Sequence, residues 1–98
     1  MYRKLIVSAV GTISSSGTIV NNEISTPTNS DISTLRIKEA HVLNADRLIP
    51  AIMYLNDTLN YFIKVYPLNT NKIRISTNNS SYSENTVYIL VEYTKTTD

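Results

Sequence analysis

The sequence predicts an all-β fold, a two-layer antiparallel β-sandwich of jelly-roll-like type built from seven to eight short strands in one domain, residues 1–98. Three observations lead there. Ile, Val, Thr and Tyr are abundant while Ala, Glu and Gln are scarce or absent, and branched or aromatic side chains lose less freedom on a pleated surface than in a helix. Apolar and polar residues alternate with a period of two in most segments. Turn-forming Asn, Ser, Thr and Pro recur at about ten-residue spacing, as in sandwiches and small barrels.

Taken in order, Arg3 to Ile13 reads as a strand, with Leu5, Val7 and Ala9 on one face and Ile6, Ser8 and Val10 on the other. Its apolar run is shorter than the hydrophobic region of a signal peptide. Ser14 to Gly17 turns the chain. Thr18 to Val20 and Glu23 to Ser25 flank Asn21-Asn22, a pair that tolerates positive φ and predicts a tight hairpin at the edge of a sheet. Thr26 to Ser30 is a loop, in which Pro27 lacks a donor and Asn29 suits an Asx-turn.

From Thr34 to Lys38, Leu35 and Ile37 alternate with polar residues, and the pattern breaks at Glu39. Glu39 to Asp46 is therefore expected to form a corner, with a helical turn as one option. Arg47 to Leu55 is apolar on both faces and predicts a strand covered on both sides, with Pro50 marking a bulge or an unpaired edge. Asn56 to Thr58 turns, Asn60 to Tyr66 forms a strand, and Pro67 to Asn71 forms a loop. Lys72 to Thr77 alternates cleanly, with Ile73 and Ile75 inward. Asn78 to Asn85 is a polar loop around Tyr82. The final strand, Thr86 to Thr94, turns Val87, Ile89, Val91 and Tyr93 to one side and Tyr88, Leu90 and Glu92 to the other.

The chemistry available is narrow. Without cysteine, neither a disulfide nor a thiolate metal site supplements the core. His41 is the only histidine; with no nucleophile motif beside it, its expected role is structural, and no catalytic, metal or cofactor site is expected. Glu39, Asp46, Asp57, Glu84 and Glu92 could meet in space as paired carboxylates, but most sit in turns, where solvated surface is the ordinary role. A net charge of +1 with dispersed basic residues leaves no electrostatic footprint for nucleic acid or an anionic membrane.

The tyrosines remain. Tyr54, Tyr61, Tyr66, Tyr82, Tyr88 and Tyr93 combine apolar rings with polar tips, the chemistry of packing, subunit contacts and sugar stacking. Tyr82, in a polar loop, is the candidate ligand contact. Tyr88 and Leu90 would join Phe62 and Tyr66 in one exposed apolar strip if their strands paired, which makes Phe62, Tyr66, Tyr88 and Leu90 the candidate interface of a homo-oligomer.

The strand Ser33 to Lys38, the corner Glu39-Ala-His-Val-Leu-Asn-Ala-Asp46, the strand Arg47 to Met53, and the segments Lys72-Ile-Arg-Ile-Ser76 and Val87-Tyr-Ile-Leu-Val-Glu-Tyr93 resemble the small β-sandwich domains of tailed-bacteriophage virion proteins, found in head fibres, tail fibres and decoration proteins. The resemblance implies a non-enzymatic virion module. It implies a homotrimer or higher assembly attached to a larger virion structural protein, with a host-surface glycan as a further contact and no nucleic-acid or membrane partner. A chain starting at Met1 without a long flanking segment is expected to be a stand-alone minor or decorating protein. The competing classes are a secreted bacterial carbohydrate-binding or adhesin domain and, further off, a single-stranded nucleic-acid-binding barrel, for which only Phe62, Lys64 and Tyr66 interleave aromatic and basic residues.

Overall fold

In a computed structural model, which describes residues 1–15, 17–51, 54–56 and 61–96, the chain is an antiparallel β-sandwich. Its strands are β1 (Tyr2–Ala9), β2 (Val20–Ser25), β3 (Arg36–Asn44), β4 (Arg47–Pro50), β5 (Tyr54–Asn56), β6 (Tyr61–Leu68), β7 (Lys72–Thr77) and β8 (Thr86–Tyr93). One sheet has the order β1-β8-β3-β4 and the other β2-β7-β6-β5. The pairing of β1 with β8 and of β2 with β7 wraps the chain as in a jelly roll, while β3–β4, β5–β6 and β6–β7 are local hairpins.

Alternation builds the core directly. Ala40, Val42, Val87, Ile89 and Val91 from the first sheet meet Ile63, Val65, Ile73 and Ile75 from the second, all buried. Val10, Ile13, Leu35, Ala51 and Tyr82 close the core from connecting segments. The strands β7 and β8 lie where their alternation places them.

Four expectations need correction. The first strand ends at Ala9, because Val10 and Ile13 leave the sheet to plug the core, tied by Val10 N to Asn85 O and Ile13 N to Ser83 Oγ. Asn21-Asn22 is not a hairpin: β2 runs through it in register with β7, and the Asn22 amide donates to Ala9 O at 2.6 Å.

The expected corner at Glu39 is the second half of β3. A bulge between Ile37 and Glu39 inserts one residue, so Lys38 and Glu39 are both exposed and the alternation resumes one step out of phase at Ala40. The actual reversal is the two-residue turn Ala45-Asp46, since Asn44 pairs with Arg47. Finally, Arg47 to Leu55 is not one doubly covered strand. β4 and β5 belong to different sheets, and Leu48 stays 59% exposed. Pro50 does sit on an edge strand, as its missing donor requires. The facing assigned to Ile52 and Met53, the turn at Asp57-Thr58 and the strand start at Asn60 lie outside the described residues.

Candidate functional site

The sandwich presents two outer faces of opposite chemistry. In the β2-β7-β6-β5 sheet the register sets Glu23, Arg74 and Tyr66 in one row across three strands and Asn21, Ser76 and Lys64 in the next. Arg74 donates from Nη2 and Nε to Glu23 Oε2 at 2.8 and 3.1 Å, and from Nη1 to the Tyr66 hydroxyl at 3.4 Å. These bonds, to Tyr66 first and Glu23 second, hold the guanidinium above its ordinary pKa. Lys64 Nζ lies 5.2 Å from the Phe62 ring centroid and 5.5 Å from that of Tyr66, within cation–π range of both. Phe62 and Tyr66 thus each lie within cation–π range of a cation on their own face.

The outer face of the β1-β8-β3-β4 sheet is built differently. Its rows, read across the strands, are Leu5–Leu90–Glu39, then Val7–Tyr88–His41–Pro50, then Ala9–Thr86–Leu43–Leu48. Leu5, Val7 and Leu48 are 57%, 59% and 59% exposed. Tyr88, Leu90, His41 and Leu43 are half-buried beside them, and Pro50 is exposed. At one end Glu92 pairs with Arg3 and, at 3.8 Å, with Lys38.

The four residues expected in one strip are therefore divided. Phe62 and Tyr66 stand on one outer face and Tyr88 and Leu90 on the other, because β6 and β8 belong to different sheets. Tyr82 does not reach solvent as a ligand contact would: it lies in the single-turn 3₁₀ segment Ser80–Tyr82, 5% exposed and packed into the core. Asn79 caps that turn by accepting from Ser81 N, and Asn85 N bonds back to Tyr82 O, so the loop folds its ring inward.

Among the described residues no group of three or more His, Cys, Asp or Glu is placed to hold a metal ion. By register Glu39 lies diagonal to Glu92, but Glu92 is engaged by Arg3 and Lys38 on an open face that does not exclude water. His41 sits on the same face between Tyr88 and Pro50. No helix among the described residues is long and apolar enough to cross a membrane.

Sequence reasoning missed one feature, a cleft of about 560 Å³ at one end of the sandwich. The β2–β3 loop, the β6–β7 turn and Thr96 line it, chiefly with hydroxyls and amides, alongside Asp31 and Lys72. Asn29 and Asn71 stand at φ 61° and 62° in those two turns. The Asx-turn forms at Asp31 instead of Asn29, with Asp31 Oδ1 accepting from Ser33 N and Oγ. The signal available was the pair of polar turn motifs; their meeting depends on the β2–β7 pairing, which residue spacing does not reveal.

Comparison with family models, curated proteins and solved structures finds no match to this chain. The fold and its two faces define the class, an antiparallel β-sandwich module.

Proposed function

We propose that the chain is a non-enzymatic structural module of a bacteriophage virion, a surface component that assembles with itself and attaches to a larger virion protein. The observation that carries this reading is the apolar outer face around Leu5, Val7, Tyr88 and Leu90, which a small domain ordinarily keeps covered. It is supported by the resemblance of the β3–β4, β7 and β8 segments to virion sandwich domains, although the corner in that pattern is strand here. A thin sandwich with mostly Thr, Ser and Asn outside its strands suits a rigid module built for contact.

The test is mass spectrometry of purified phage particles from the host that encodes the chain. Recovery of the protein in stoichiometric amount supports the reading. Its absence from particles, with the protein abundant in the lysate, overturns it.

A second reading, a secreted carbohydrate-binding or adhesin domain, is favoured by the hydroxyl- and amide-lined cleft. Glycan-array binding that disappears on Asn71→Ala and Thr96→Ala would support it. Tyr82→Ala is unsuited to that purpose, because Tyr82 is buried.

A further inference from the structure

We propose that the outer face of the β1-β8-β3-β4 sheet is covered by the same face of a second copy of this chain, making a twofold dimer. The inference rests on the self-assembly part of the proposed function and assigns it a surface. The sequence offered Phe62, Tyr66, Tyr88 and Leu90 together; the fold separates them, and the two halves differ. Phe62 and Tyr66 belong to a face whose cations and rings already satisfy one another. Tyr88 and Leu90 belong to a face with exposed Leu5, Val7 and Leu48 beside them.

Area argues for a copy of the same face. Three strands of eight or nine residues span about 27 Å along and about 14 Å across, and the four residues of β4 add a strip about 13 Å long, for about 450 Å² in projection. Side-chain relief raises the contact toward the roughly 600–800 Å² that each partner of a stable dimer contributes. A flat patch that meets itself closes as an isologous pair and does not propagate through that face.

Charge agrees with that symmetry. The Val7–Tyr88–His41–Pro50 row lies at the middle of the apolar area, flanked by the Leu5–Leu90 and Leu43–Leu48 rows. Beyond the first flank stand Arg3, Arg36 and Lys38 around Glu92, and beyond the second the exposed Asp46 and Arg47 at the β3–β4 turn. A twofold axis in the interface, crossing the strands at the middle row, places the charged end of one copy over the β3–β4 turn of the other, so that Arg36 and Lys38 can meet Asp46, and Glu92 can meet Arg47, across the rim. The result is an apolar centre with charged rims, the usual anatomy of an interface.

The experiment is light scattering on the purified chain from about 10 to about 500 µM, with Leu5→Lys, Val7→Lys and, on the opposite face, Phe62→Ser. Leu5 and Val7 are exposed, so the lysines leave the core intact; circular dichroism checks that the variants fold. The expected wild-type mass is twice the 11.0 kDa of one chain. Each lysine weakens association at least about tenfold by burying a charge, and Phe62→Ser leaves the mass unchanged. A monomer throughout, a trimer, an assembly indifferent to both lysines, or one lost only with Phe62→Ser overturns the proposal. A monomer recovered from virions refutes this interface alone, whereas a dimer absent from particles refutes the virion reading alone.

Discussion

Glu23 and Arg74 face each other across β2 and β7, and one carboxylate oxygen receives two guanidinium nitrogens at 2.8 and 3.1 Å. Because Arg74 also reaches the Tyr66 hydroxyl and lies over its ring, the three residues form one transverse row across three strands. Within this row each polar group has its partner one strand away.

Groups that share partners do not act independently. Glu23→Gln and Tyr66→Phe are each expected to cost little, with a double variant whose effect differs from the sum. The Glu23 effect shrinks at about 1 M salt, where the screening length falls to about 3 Å. Urea unfolding of the four proteins at two ionic strengths measures both.

Ile75 and Ile89 are fully buried, one from each sheet. Truncation of either to Ala removes methylenes that the facing sheet cannot replace and is expected to cost about 2–5 kcal/mol. For a domain of this size that is a large share of a total of roughly 5–10 kcal/mol. Denaturant midpoints, read with unchanged m-values, give the comparison.

Thr77 is a buried hydroxyl with two duties. Its Oγ1 donates to Phe62 O at 2.6 Å and accepts from Asn79 N at 3.1 Å. Thr77→Val keeps the shape and leaves both backbone groups short of a partner, at an expected cost of about 1–3 kcal/mol. Thr77→Ser keeps the bonds and is expected to lose less, so the ranking of the two in thermal unfolding separates hydrogen bonding from packing.

Ala45 is the first central residue of the β3–β4 turn and stands at φ 57°. A Cβ is unfavourable there, and two-residue hairpins with positive φ at this position ordinarily carry Gly. Ala45→Gly is expected to raise stability by about 0.5–1 kcal/mol, the relief exceeding the added freedom of the unfolded chain. A lowered midpoint in calorimetry would reject this account.

How much of this was legible follows from local regularity. β8 alternates without interruption and β7 does so as far as Ile75, beyond which Ser76 and Thr77 are both buried; over that span each residue's spacing states its face. β3 was half hidden because the bulge at Ile37 and Glu39 shifts the period by one, which in sequence looks like the end of a strand. Asn21-Asn22 has the conformational tolerance of a turn, but pairing with Ser76 and Ile75 overrides it. Phe62 and Tyr66 on β6, and Tyr88 and Leu90 on β8, do face away from the core, as alternation implies. What alternation does not encode is which sheet a strand joins, and that alone separated Phe62 from Tyr88.

β8 lies between β1 and β3, and β7 between β2 and β6, so in each sheet the last strand of the chain takes an inner position. During synthesis, β1 and β2 emerge long before the partners they require. Neither sheet can zip from its N-terminal end, and loop closure across most of the chain precedes the first native pairing of β1. Folding is thus expected to wait until Thr86–Tyr93 has cleared the ribosome, and then to engage both layers in a single cooperative event.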